Sequence, residues 1–288
     1  MALQGDTLWI GSLNGLYTYQ LNTKKLASLD SKSNGLPHHT IYSIIRTTDN
    51  QIYVGTYNGL CRYIEESGKF ENIPLPVNRS VSNLFVNSLL EDTSRQCIWI
   101  GMEGSLFQYT PATGLMKPID AFHNNSIKSL ALDGDGNLLA GTDNGLYVYQ
   151  NDNGTLQHIV HDSRNIQSLT NNIIWNIFAD QEQNIWLGTD YGISLSRYNS
   201  ALQFIPISQI TGTGDGNQFY SLFRDSKGFY WFGGTNGVIR FTNPTGNKHD
   251  AVWYRMGDKH HPLSHNRIRH IYEDREQQLW ICLLYTSP

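Results

Sequence analysis

The sequence predicts an all-β chain folded as a β-propeller of four-stranded antiparallel blades. Three observations carry that prediction. First, the stretch I-Y-V-G-T-Y-N-G-L-C-R-Y at Ile52–Tyr63 returns along the whole chain. Close copies stand at Leu8–Tyr19, Leu138–Tyr149 and Tyr230–Phe241, looser ones begin at Ile98 and Ile185, and a broken one begins at Leu279. Second, the leading glycines Gly11, Gly55, Gly101, Gly141, Gly188 and Gly233 recur at intervals of 40 to 47 residues. Such periods belong to propeller blades or to helical arrays. Third, no window shows apolar residues at the 3.6-residue spacing of a helix, whereas runs such as Ile185-Trp186-Leu187 have the length and composition of buried strands.

Each copy can be read strand by strand. An upstream strand comes first, as in Ile41–Ile45, Ile127–Ala131, Ile174–Phe178 and Phe219–Phe223. A polar turn follows, such as Asp133–Asn137 or Asp225–Gly228. The second strand ends on a glycine, often followed by threonine, and a glycine inside a strand marks close approach of another backbone. Asn14-Gly15, Asn58-Gly59, Asn144-Gly145 and Asn236-Gly237 then read as type I′ hairpin turns. A third strand such as Leu146–Tyr149 and a short fourth such as Lys69–Ile73 or Gln203–Ile207 complete the unit. Four antiparallel strands per period make one blade. A blade cannot bury its own faces, so it must lean on its copies. Trp9, Tyr53, Trp99, Trp186, Trp231 and Trp280 share one position in the second strand, with Leu139 as the exception, and are read as inter-blade packing residues.

In chain order, the first unit appears without its upstream strand. Five units look whole, over about 40–75, 85–119, 127–159, 173–207 and 218–256. The last has an upstream strand at Arg267–Asp274 and then Leu279-Trp280-Ile281. Residues 1–281 are therefore expected to form six to seven repeat units of an incomplete seven-bladed propeller. Residues 282–288 match nothing upstream and are read as a non-matching, artefactual tail.

Composition narrows the function. A net charge of −4 argues against a nucleic-acid partner. Three cysteines, Cys61, Cys97 and Cys282, lack metal or redox spacing. No stretch approaches the ~20 apolar residues of a membrane span. Asp133–Asn137 resembles the start of a calcium loop, but Leu138 and Asn144 occupy the sixth and twelfth places, where such a loop needs Gly and Glu. Gly212–Gly216 is glycine-rich without a following helix to hold a phosphate. His38-His39 and His260-His261 are adjacent loop pairs, and no metal site is expected of them. Asp180, Asp225 and Asp274 recur in step with the repeat and are assigned to turns. No catalytic residue and no cofactor is expected in this chain.

One position set stands apart. In the upstream strands the first slot is apolar and the third is mostly small and polar. The slot between them is chemically free: Tyr42, Asn87, Lys128, Trp175, Tyr220 and Arg269. If the first strand of each blade lines the central channel, these three aromatics, two cations and one amide meet at its mouth. There they can stack on and hydrogen-bond to a sugar-like or other polar ligand.

The pattern Asn34-Gly35-Leu36-Pro37, Ile41–Ile44 and Ile52–Tyr63, with its further copy at Leu169–Tyr198, closely resembles the two-component regulator propeller repeat. WD40 and Kelch repeats match less well: no Trp-Asp dipeptide occurs, and a glycine doublet appears once, at Gly233-Gly234. The resemblance covers essentially the whole chain. It implies the periplasmic sensor region of a Bacteroides-type hybrid two-component system histidine kinase, an inner-membrane protein. The implied partners are an oligosaccharide ligand, the remaining domains of the sensor kinase, and a second copy in a homodimer. The membrane would be reached only through a downstream segment. Two other readings fit the repeat: a protein–protein interaction scaffold, and the sensor region of a different output such as a diguanylate cyclase.

Overall fold

The computed structural model describes residues 1–29, 33–76, 84–122, 124–150, 153–198, 218–242 and 251–284, and the backbone of 204–206. The fold is all-β, a β-propeller of antiparallel blades, and among the described residues its helical content is one 3-10 turn, Asp120–Phe122. The chain divides into two compact units, Met1–Leu130 and Ala131–Pro288.

The first unit holds three four-stranded sheets. They are β1 (Ala2–Gln4) to β4 (Lys25–Leu29), β5 (Ile41–Arg46) to β8 (Lys69–Ile73), and β9 (Val86–Asp92) to β12 (Leu115–Pro118). The division falls within β13 (Ile127–Leu132), the first strand of the fourth sheet, which runs to β16 (Leu156–Ile159). The second unit continues with β17 (Ile174–Ala179) to β20 (Phe204–Pro206). Next come β21 (Phe219–Arg224) to β24 (Val252–Met256), extended by the short parallel β25 (Pro262–Leu263), and the pair β26 (Ile268–Glu273) and β27 (Leu279–Leu283). Cys282 and Leu283 lie within β27, opposite His270 and Ile268. The glycine-rich stretch at 212–216 lies outside the described residues.

The first sheet corrects the sequence reading. Its upstream strand is present: Ala2–Gln4 pairs with Thr7–Trp9. Three residues are too few to show the apolar, free, small-polar pattern of the other first strands, so sequence periodicity passes over it.

The repeated strand glycine has a clear packing role. A β-carbon built at Gly11 would lie 2.5 Å from Ile41 Cγ2, and one at Gly101 would lie 2.6 Å from Ile127 Cγ2. In the second unit, β-carbons at Gly141 and Gly233 would lie 2.7 and 2.5 Å from Cγ2 of Ile174 and Ile268. Each glycine thus receives the leading apolar residue of the next sheet's first strand. The polar residue two places on adds a hydrogen bond between sheets. Ser43 Oγ donates to the Val86 carbonyl at 3.2 Å, and the amides of Leu130 and Ile271 donate to Ser88 Oγ and Ser221 Oγ at 3.1 and 2.9 Å. The aromatic position follows the same logic. Tyr53 packs with Val86, Leu89 and Phe107 of the next sheet, and Trp186 packs with Phe219, Leu222 and Phe232.

The hairpins form where the Asn-Gly pairs predict them, but not as type I′ turns on those pairs. Thr56 pairs with Gly59, so Tyr57 and Asn58 are the central residues. Gly59 follows with φ +108°, and the asparagine keeps a negative φ. The deciding contact comes from the preceding residue. Thr56 Oγ1 donates to the Gly59 carbonyl at 2.9 Å and accepts from the Asn58 amide at 3.0 Å. Thr142 and Thr189 repeat this clasp. A threonine before the tip therefore satisfies backbone groups that a two-residue type I′ turn would leave to water.

The turn aspartates do more than shape the chain. Asp180 Oδ1 accepts from the Asn184 amide at 2.8 Å, while Oδ2 accepts from Trp186 Nε1 at 2.8 Å. Asp225 with Trp231 and Asp274 with Trp280 show the same bond at 2.8 and 2.7 Å, and Asp92 with Trp99 at 3.0 Å. One carboxylate thus fixes both the turn and the aromatic residue that packs the sheet. Asp133, whose sheet carries Leu139 at that position, accepts from Asn137 instead, through its backbone amide and Nδ2. It forms the inter-strand turn between β13 and β14 (Leu138–Thr142).

Candidate functional site

The free slot is the second residue of each first strand, and the ladder shows why it is free. Ile41 faces Thr56 and Ser43 faces Gly55, so Tyr42 is skipped. Asn87, Trp175, Tyr220 and Arg269 are skipped in the same way. Each is the extra residue of a β-bulge. A bulge releases a side chain from the strict alternation of the pleat and re-aims it. Lys128 holds the corresponding place in β13. The flanking positions remain tied to packing and to inter-sheet hydrogen bonds, so chemical variety is confined to the bulged residue.

In the second unit the structure brings three of the six together. The rings of Trp175 and Tyr220 meet edge to face, with centroids 5.2 Å apart. The Arg269 guanidinium lies over the Tyr220 ring, 5.2 Å from its centroid. Trp175 Nε1 donates to Asp190 Oδ1 at 3.0 Å, and Gln218 Nε2 donates to the same oxygen at 2.6 Å. The Tyr220 hydroxyl in turn donates to Gln218 Oε1. Burial raises the Tyr220 hydroxyl above its usual pKa, against the pull of Arg269 and Arg267. The phenol therefore stays neutral and keeps its proton for hydrogen bonding. Trp175 and Tyr220 are half-buried and Arg269 is exposed. The result is a partly open surface with two aromatic rings, an acceptor at one end and a cation at the other.

In the first unit Tyr42, 38% exposed, packs against Phe85 at 6.0 Å between centroids. Phe85 meets Tyr57 at 4.1 Å, and Tyr57 meets His38, which stacks on His39. Burial, aided by the neighbouring His39, lowers the His38 pKa, and its Nδ1 accepts from the Thr40 amide at 3.0 Å. Lys128 Nζ donates to Ser126 Oγ at 3.4 Å, and Ser126 Oγ donates to Glu103 Oε2 at 2.6 Å. Asn87 is half-buried. His260 and His261 direct their backbone amides to Asp258 Oδ1. Among the described residues no group of three or more His, Cys, Asp or Glu side chains is placed to hold a metal ion.

Sequence reasoning missed a second set of residues beside the bulges of each unit. They occupy the third place of the hairpin segments G-T-Y-N-G, G-T-D-Y-G and G-G-T-N-G: Tyr57, Asp190 and Thr235, with Glu103 in the corresponding turn. The amides of Tyr57, Asp190 and Thr235 donate to the carbonyls of Thr40, Ile173 and Gln218, each just before the first strand of its own sheet. That tie holds the hairpin tip beside the bulge. The signal was available: one variable position two places after the repeated strand glycine and two before the glycine of the hairpin tip.

Comparison with known proteins agrees with the repeat. The family model described as two component regulator propeller matches residues 35–58, 168–191, 213–236 and 262–283. A histidine kinase from Formosa agariphila is 30% identical over 269 residues, covering 82% of this chain. A solved extracellular domain, assigned to a hybrid two-component system of B. thetaiotaomicron, is 82% identical over 98% of this chain with a TM-score of 0.67. A second such domain from that organism, 18% identical over 98% of the chain with a TM-score of 0.78, shares the fold. The chain spans 18% of the kinase relative's length and 38% of each of the two solved domains.

Proposed function

We propose, for a chain built of two-component regulator propeller repeats, that it is the extracytoplasmic ligand-sensing propeller of a hybrid two-component regulator. In this reading it lies in the periplasm, binds an oligosaccharide, and controls a downstream histidine kinase together with the rest of its parent protein and a second copy of itself. The supporting observation is the cluster of Trp175, Tyr220 and Arg269 with Asp190 and Gln218. Aromatic surfaces offer stacking area for the apolar face of a pyranose, and convergent carboxylate and amide groups match its hydroxyls. Trp175, Tyr220 and Arg269 stand on bulges at strand starts, where they can vary without cost to the sheet, and Asp190 sits in a hairpin tip tied beside the first of them. The kinase relative and the extracellular solved domain supply the context of a sensor.

Calorimetric titration against a panel of plant and host oligosaccharides tests the reading. At least one is expected to bind. Trp175→Ala should weaken that binding about tenfold or more, from loss of an aromatic contact, while the unfolding free energy measured in urea stays within about 1 kcal/mol of the parent. No binding by any member of the panel, or unchanged affinity in the variant, would remove the proposal.

A further inference from the structure

Among the described residues some arginines pair with carboxylates, and the two at the second unit's site, like Arg46, Arg240 and Arg255, do not. Arg62, Arg95, Arg164 and Arg224 each pair with a carboxylate, at Glu71, Asp92, Asp162 and Glu182. Arg267 and Arg269 form no ion pair among the described residues. Both are exposed, and they flank the buried Ile268 at the start of β26. Arg269 lies over the face of Tyr220 rather than against an acid. Arg267 is close enough for its charge to pull the Tyr220 hydroxyl downward. The nearby carboxylate, Asp190, is engaged by Trp175 Nε1 and Gln218 Nε2.

Two guanidinium groups beside an aromatic face, without a protein anion, make a receptor for an external one. Guanidinium forks bind carboxylate and sulfate through paired charge-assisted hydrogen bonds. The neighbouring rings and Asp190 add surfaces for stacking and for hydroxyl donors. We infer that the ligand of this site is an anionic saccharide, with its carboxylate or sulfate on Arg269 and Arg267 and its ring on Trp175 and Tyr220. This inference rests on the oligosaccharide reading of the same site and adds the charge of the ligand to it.

The test compares matched probes by calorimetry: oligogalacturonate against its carboxyl-reduced form, and chondroitin sulfate disaccharide against its desulfated form. At least one charged probe is expected to bind about tenfold tighter than its uncharged partner, the worth of one charge-assisted contact. The advantage should shrink as sodium chloride is raised. Arg269→Gln, and separately Arg267→Gln, should erase much of that preference by weakening the charged probe more than the uncharged one. Equal affinity within both pairs, preference surviving in both arginine variants, or binding of free amino acids in place of saccharides would each overturn the inference. If uncharged saccharides bind and Trp175→Ala abolishes that binding while the arginine variants have no effect, the charge inference alone falls. If no saccharide binds at all, the underlying reading falls with it.

Discussion

Replacing Gly188 by alanine is expected to destabilise the second unit by about 3 kcal/mol. The added β-carbon would lie 2.6 Å from the carbonyl oxygen of Phe219 and 3.3 Å from its carbonyl carbon. Both atoms belong to the backbone of β21, so no rotamer change can relieve the contact. The strand must shift, and Phe219 and Leu222, both buried with Trp186, shift with it. Gly192→Ala, in the same sheet, is the control. Its β-carbon meets nothing within 4 Å, but its φ of +94° is unfavourable for a side chain, at a cost of roughly 1–2 kcal/mol. Urea unfolding followed by tryptophan fluorescence compares the two. Gly188→Ala costing no more than Gly192→Ala would contradict the packing role assigned to the repeated glycine.

Asp180→Ala should cost a similar amount, about 3 kcal/mol, by a different route. The carboxylate is buried and holds four donors. These are the Asn184 amide at 2.8 Å, Asn184 Nδ2 at 3.0 Å, Trp186 Nε1 at 2.8 Å and the Tyr230 hydroxyl at 3.2 Å. Removing it leaves a fully buried indole N–H and a phenol without their acceptor, which is dearer than losing both partners together. Burial, reinforced by the Asp180 charge, raises the Tyr230 hydroxyl far above its usual pKa, so it stays a donor. Asp180→Asn keeps one acceptor oxygen and should cost about half as much. A double-mutant cycle with Trp186→Phe isolates the bond: a coupling of about 1 kcal/mol or more is expected. Additive effects would show that aspartate and tryptophan serve turn and packing separately.

These two positions show what could be read in advance. The glycine stood out because its spacing repeats, and a glycine between bulky strand residues implies a backbone close by. The tryptophans announced themselves as packing residues and the aspartates as turn formers. The bond joining them was not read, because each residue already had a sufficient explanation alone. The Asn-Gly pairs located the hairpins, but the turn type followed from the threonine one place earlier. The first strand of the chain escaped because Ala2–Gln4 is too short to carry the pattern.

The candidate site was half legible. The free slot was visible as variety between two constrained neighbours. That the slot is a bulge was not visible, since register is set by backbone pairing that leaves only this trace in side-chain chemistry. Trp175, Tyr220 and Arg269 were named from their alignment, and the structure places them in contact. Asp190 and Gln218 were missed. Asp190 sits in a hairpin tip, where an acidic residue is unremarkable, and Gln218 precedes a strand. Only their hydrogen bonds give them a role.

Hydroxyl-radical footprinting with the tightest-binding saccharide tests most directly whether the bulged residues meet the ligand. Trp175 and Tyr220 should be protected on binding, while Tyr198 and Ile166, exposed elsewhere in the same unit at 44% and 80%, should react as before. A saturating ligand that leaves Trp175 and Tyr220 as reactive as in the free protein, and protects other residues instead, would contradict the account.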